Sequence, residues 1–226
     1  MEQHITLEAD AWRTVLAEAA APVDGSVVVR GPAAAQVGAA WHLLGYGPDG
    51  IVTDEAPVTA GDEGVSGAAL VALLHAWSTP ADLEVAARTA ARWLRPRGVL
   101  LLAELHIDRL LGASVHSYPS ALLYRMFPTT GSYVEARCAS ATDLVAAAIR
   151  TSLDDKVVLE FDRPLAVDDN RSQRPATAPL VSWRGIEQLD PEEQASLRAA
   201  LAQVTPPTDP FVETEPWYAV AGRTRP

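Results

Sequence analysis

Two apolar runs of strand length enclose a helical pattern: Ala68–Leu74, then residues 80–94, then Val99-Leu100-Leu101-Leu102-Ala103-Glu104-Leu105. A run that is apolar at nearly every position, rather than every second one, belongs to a strand covered on both faces. Two such strands joined through a helix are parallel, because a parallel pair needs a crossover of a dozen residues or more. Thr79 caps the helix ahead of Pro80, Asp82 and Glu84 fall in its first turn, and Arg95-Pro96-Arg97-Gly98 stops it. This βαβ unit places the chain in the α/β class, a mostly parallel sheet with helices on both faces.

The flanking sequence extends the pattern. Within 1–25, residues 6–21 carry Leu7, Trp12, Val15 and Leu16 at helical spacing. The β-branched run 26–30 is a buried strand closed by Gly31-Pro32, and 32–44 is a helix with Pro32 at its first position and Gly45 as its stop. Residues 50–54 read as a second strand, and 55–67, rich in Gly and Pro, as a loop. These elements and the βαβ unit make a core over 26–105. Residues 106–140, punctuated by aromatic, Pro and Gly residues, are expected to cover one edge of the sheet. Then come a helix over 141–152 capped by Ser140 or Thr142, a strand over 156–161, a polar loop over 164–179, a helix running from Asp190 to about 204, and a last strand over 217–223. No linker interrupts the composition, so one domain over 1–226 is expected.

Charge and cysteine usage exclude several function classes. With 29 acidic against 18 basic residues and a net charge of −11, the chain lacks the clustered cations that displace counterions from a phosphate backbone, so no nucleic acid partner is expected. Cys138 is the single cysteine; it forms no internal disulfide and no zinc-type spacing. No apolar run is long enough for a membrane span, and Met1-Glu2-Gln3-His4 opens no secretory leader, so a cytoplasmic protein is expected. A Gly-x-Ser-x-Gly elbow, a phosphate loop and a His-Glu-x-x-His helix are all missing. The pairs Asp154-Asp155 and Asp168-Asp169 sit in turn or polar loop sequence without histidine neighbours, so no metal is expected.

Ligands of open α/β sheets gather beyond the carboxyl ends of the strands, which directs attention to a few side chains. His75 follows the first apolar run, as a general base or as a loop cap. Trp77 either stacks on a purine or aromatic substrate or anchors the loop against the next helix. Glu104 and His106 close the other run two residues apart, which on a strand puts them on one side as an acid–base pair, or leaves them as a solvated strand end. In the cover, His116, Tyr118, Tyr124 and Tyr133 either face substrate or, with Leu122, Leu123, Met126 and Phe127, seal the sheet.

The stretch Leu73-Leu74-His75-Ala76-Trp77-Ser78-Thr79-Pro80, the helix after it, and Leu94-Arg95-Pro96-Arg97-Gly98-Val99-Leu100-Leu101-Leu102-Ala103-Glu104 together resemble the class I S-adenosylmethionine-dependent methyltransferases. The tail is similar to that family's last helix and antiparallel strand, from Ser182-Trp183 through Leu189-Asp190-Pro191-Glu192-Glu193 to Trp217-Tyr218-Ala219-Val220-Ala221. The resemblance implies a Rossmann-like class I methyltransferase fold, S-adenosylmethionine as cofactor and a small-molecule substrate. It puts Gly31, Ala33, Leu74 and Asp54 around the cofactor, with Asp54 on the ribose hydroxyls, and His75, His106 and Glu104 at the chemistry, with Trp77, His116 and Tyr118 toward substrate.

Two departures shape the expectation. The family ends its first strand in an acid followed by Gly-x-Gly-x-Gly; here Val29 stands at the acid, Gly31 is kept, and Ala33 and Ala35 replace the other glycines. Each alanine adds a methyl where the ligand packs, and a positive φ there would cost about 1 kcal/mol or more. Residues 55–67 are also too few for the helix–strand–helix that builds the family's third strand, so the sheet is shortened at that edge. A bare edge asks for a cover, as in a homodimer or with a partner subunit. Two functions follow: methyl transfer to a small molecule through an altered cofactor pocket, or a relative that has lost the cofactor and serves as a binding subunit or a repurposed, non-methylating pocket.

Overall fold

The computed structural model describes residues 2–22, 24–46, 50–114, 118, 120–167, 184–204 and 212–226. Six strands, β1 (Val27–Arg30), β2 (Ile51–Asp54), β3 (Ala68–Leu74), β4 (Leu94–Leu105), β5 (Asp154–Val167) and β6 (Val212–Arg223), form one sheet in the order β2-β1-β3-β4-β6-β5. The first four are parallel, and β6 enters antiparallel between β4 and β5. The expected α/β architecture is therefore present, with the βαβ unit in the register Leu70↔Val99 to Leu74↔Ala103.

Among the described residues eight α-helices clothe the sheet: α1 (Glu2–Glu18), α2 (Ala34–His42), α3 (Leu83–Ala91), α4 (Ile107–Gly112), α5 (Ala121–Met126), α6 (Pro128–Glu135), α7 (Ala141–Arg150) and α8 (Pro191–Val204). Alternation along each strand divides the core in two. Val27, Val29, Leu70, Ala72, Leu101 and Ala103 face Trp12 of α1, Trp41 of α2 and the cover helices. Val28, Val71, Leu73, Leu100 and Leu102 face α3 and α7. Every residue of β3 is buried, which explains its uninterrupted apolar run. Ser140 caps α7 as expected, its Oγ accepting from the Asp143 amide at 3.1 Å, and Asp190 caps α8 through the Glu193 amide at 2.8 Å.

Three differences from the sequence reading have physical causes. The Arg95-Pro96-Arg97-Gly98 stretch does not lie outside the strand: Leu94 already pairs with Ala68, and 95–98 bulge out before Val99 resumes pairing at Leu70. A bulge tolerates proline and a left-handed residue, and Arg97 has φ 62°. Strands β5 and β6 run 14 and 12 residues because they pair with each other well beyond their apolar centres. Among the described residues no strand lies between Asp54 and Ala68, so β2 is the edge. The loop 55–67 instead lies along the α3 side: the Val58 amide donates to the Ala76 carbonyl at 2.7 Å, and Trp93 Nε1 donates to the Asp62 carbonyl at 3.4 Å. No helix among the described residues is long and apolar enough to cross a membrane.

Candidate active site

Parallel pairing of β3 with β4 brings the residues just past Leu74 and Ala103 side by side. The His75 amide donates to the Ala103 carbonyl at 2.9 Å, and His75 Nδ1 stands 2.6 Å from Glu104 Oε2. His75 holds this place with φ 53°, a left-handed backbone rare for a residue with a side chain and common where function fixes a conformation. Glu104 is fully buried. Its Oε1 accepts from the Leu105 amide at 2.8 Å and from Arg184 at 2.6 Å, while Oε2 also takes the Ala139 amide at 3.4 Å. Arg184 further reaches Cys138 Sγ at 3.6 Å and lies 5.1 Å over the ring of Trp217.

The charges of this cluster determine its chemistry. Burial alone would raise the Glu104 carboxyl, but Arg184 and His75 outweigh it and hold the group below the ordinary carboxylate range. Burial, aided by the Arg184 cation, pushes His75 below the usual imidazole value against the pull of Glu104. Neutral imidazole beside an ionised carboxylate donates from Nδ1, a tautomer assigned from that hydrogen bond. Its Nε2 then carries a lone pair, and among the described residues it has no hydrogen-bond partner. A carboxylate-oriented imidazole with one free nitrogen is the arrangement of a general base. Cys138 takes no part as a nucleophile, since burial pushes its thiol up to about 12.

A second buried layer backs the first. Arg163 Nε lies 2.8 Å from Glu8 Oε1, which also accepts from Trp12 Nε1 at 2.8 Å, and the Arg163 guanidinium is 5.4 Å from the Trp217 ring. Trp217 thus contacts both guanidinium groups. Glu215 is buried next to it with Oε2 accepting from Trp217 Nε1 at 3.3 Å and Oε1 without a partner among the described residues; burial pushes its carboxyl up.

Of the residues singled out in sequence, His75 and Glu104 come together, but Glu104 and His106 do not. Strand β4 ends at Leu105, and His106 turns to φ −80°, ψ 76°, so two-residue periodicity no longer applies to it. His106 caps α4, its Nδ1 accepting from the Arg109 amide at 3.3 Å, while Nε2 stands 3.9 Å from Glu160. Trp77 is 1% exposed within the α3-side core, which makes it the loop anchor rather than a platform open to ligand. Tyr118 donates to Asp162 Oδ1 at 2.7 Å, and burial together with that aspartate pushes its phenol up to about 12. Tyr124 is buried and donates to the Arg184 carbonyl at 3.1 Å, tying the cover to the cluster. His116 lies outside the described residues. Arg184 had no sequence signal: it meets Glu104 across 80 positions, from the turn ahead of Ile186.

The expected cofactor residues stand at the ends of β1, β2 and β3. Gly31 has φ +117°, and a Cβ there would lie 2.0 Å from the carbonyl oxygen of Leu74, so the two backbones are in direct contact. Ala33 has φ −105°, which any residue adopts, so the conformational cost anticipated for alanine does not arise. Asp54 ends β2 as expected, yet both its oxygens have partners within the chain. Oδ2 pairs with Arg30 at 3.2 Å, and Oδ1 accepts from the Ala56 amide at 2.9 Å. Arg30 also lies 3.5 Å from Asp62 and 5.7 Å from the centre of the Trp93 ring.

No family model matches the chain, and no curated protein matches it significantly in sequence. Solved structures match it in fold. A candidate methyltransferase from an antibiotic biosynthesis pathway of Anabaena variabilis ATCC 29413 superposes with a TM-score of 0.58 at 12% identity, over 96% of this chain and 98% of that one. A candidate methyltransferase of Bacillus halodurans C-125 gives a TM-score of 0.50 at 12% identity, over 96% and 100%. The chain has a class I methyltransferase-like fold, Rossmann-like and without the third strand among its described residues.

Proposed function

We propose that this methyltransferase-fold protein acts on a small molecule by proton abstraction, with His75 as base and Glu104 as its orienting carboxylate, in a pocket turned to non-methylating chemistry. The observation that carries this reading is the 2.6 Å contact between His75 Nδ1 and Glu104 Oε2 at the ligand end of the sheet. Glu104 fixes the tautomer and balances the imidazolium that forms when Nε2 takes a substrate proton; Arg184 keeps Glu104 ionised when water is excluded. The nucleotide seat supports this over methyl transfer. The carboxylate that would accept the ribose hydroxyls is already paired with Arg30 and with the Ala56 amide, so S-adenosylmethionine would have to compete for it as these residues stand.

Methyl transfer from S-adenosylmethionine is the second reading, favoured by the left-handed turn at Gly31 and by an acid at the end of β2; it requires Arg30 to leave Asp54. Nitrogen-15 NMR of the histidines tests the first reading. A neutral His75 at pH 7 with its proton on Nδ1, perturbed by Glu104→Gln, is expected; a His75 already charged at pH 7 overturns the general base. Calorimetry with S-adenosylmethionine tests the second: saturable micromolar binding by the natural chain would favour it.

A further inference from the structure

We infer that Arg30 is the residue that closes the nucleotide seat, its guanidinium standing on Asp54 where a ribose would. The inference deepens the non-methylating reading and rests on it. In an open α/β sheet the ligand crevice opens where the strand order reverses, here between β1 and β3. At that point the segment after β2 is drawn across the end of β1. Arg30 holds Asp54 at 3.2 Å, Asp62 at 3.5 Å and the Ala56 carbonyl at 3.5 Å, and the Val58 amide reaches the carbonyl of Ala76 beyond β3 at 2.7 Å.

The chemistry of this latch opposes a nucleoside by competition. A carboxylate offers about four lone-pair sites, and Arg30 and the Ala56 amide already take one on each oxygen, so a vicinal diol must share an acid paired with a guanidinium whose side chain is only 12% exposed. The latch is nevertheless not a fully satisfied structural bridge. Arg30 Nε is buried without a partner among the described residues, and Asp54 remains 46% exposed. Removing the guanidinium therefore frees the acid without dismantling the sheet, whose β1–β2 pairing is carried by the backbone.

Titration calorimetry with S-adenosylhomocysteine on the natural chain, Arg30→Ala, Arg30→Gln and Arg30→Ala/Asp54→Asn tests this, with thermal unfolding confirming that each variant is folded. The expected result is feeble binding by the natural chain and a gain of about tenfold or more in either Arg30 variant, the scale of one hydrogen bond to a charged acceptor. The added Asp54→Asn change should cancel that gain. If the natural chain and both variants bind equally tightly, the latch is refuted and the methyl-transfer reading gains. If a folded Arg30 variant binds no better than a feebly binding natural chain, Arg30 is not the gate, while the His75 base stands.

Discussion

Two carboxylates at the carboxyl ends of parallel strands each meet an arginine, and the two pairs differ mainly in how much water reaches the acid. Asp54 on β2 pairs with Arg30 at 3.2 Å and keeps a 46% exposed side chain; Glu104 on β4 pairs with Arg184 at 2.6 Å and keeps none. At the first pair, solvent and salt reach the half-exposed carboxylate, although Arg30 is only 12% exposed, so the acid is open to another ligand. At the second pair the carboxylate is wholly buried while Arg184 keeps 19% of its side chain exposed, so Glu104 has no water to fall back on and depends on Arg184 and His75. Equal chemistry thus makes a removable closure at one end of the sheet and a fixed, tuned base at the other.

The largest test of this contrast is Glu104→Ala. It leaves Arg184 and His75 facing a buried void and should cost about 3–5 kcal/mol in urea unfolding; a loss under about 1 kcal/mol would show that the cluster is wetter than its burial implies. Gly31→Ala comes next, at about 2–4 kcal/mol, since it combines a left-handed backbone with a Cβ placed 2.0 Å from the Leu74 carbonyl oxygen. At the end of β1 the backbone contact with β3, not the ion pair with β2, then carries the stability.

The pH dependence separates the groups further. His75 is held below its unfolded value, so the native state binds fewer protons there; its contribution is complete above the unfolded imidazole value and is lost as pH falls beneath it. Glu104, also depressed, adds stability that disappears only at lower pH, as it falls through the native carboxyl value. Glu215 is raised and acts with the opposite sign, its contribution fading as pH climbs through its native value. The His75 contribution should therefore lower the unfolding midpoint between about pH 7 and pH 5, with Glu215 opposing it, and His75→Gln should make the midpoint of the variant fall less than that of the natural chain across that window while leaving the carboxylate limb. An identical profile in the variant would remove His75 from the buried cluster.

What could be read in the sequence follows the range of the interactions involved. Ala68–Leu74 and residues 99–105 were legible because a strand buried on both faces leaves an unbroken apolar signature. His75 and Glu104 were legible singly, each from its position past or at the end of a run. Their pairing was not, because it depends on the Leu74↔Ala103 register rather than on anything local. Strand periodicity offered His106 in place of His75, and it fails by one residue where His106 leaves the strand to cap α4. Arg184 and Arg30 were missed for different reasons. The first meets its partner across 80 positions; the second meets Asp54 and Asp62 only once β1 and β2 pair side by side, a register that no local pattern carries.

The smallest expected effect on stability is the one that most sharpens the contrast. Arg30→Ala should cost less than about 1 kcal/mol, because Asp54 and Asp62 recover water when the guanidinium leaves, and the remaining loss is its long bond to the Ala56 carbonyl and its packing over Trp93. That cost should shrink further in high salt, whereas the cost of Glu104→Ala should hardly respond, since mobile ions do not reach a fully buried carboxylate. Paired unfolding curves at low and high salt read both at once. A large, salt-insensitive penalty for Arg30→Ala would place its ion pair in the same class as Glu104–Arg184; the end of β1 would then be part of the core, and no nucleotide could be admitted there by removing one side chain.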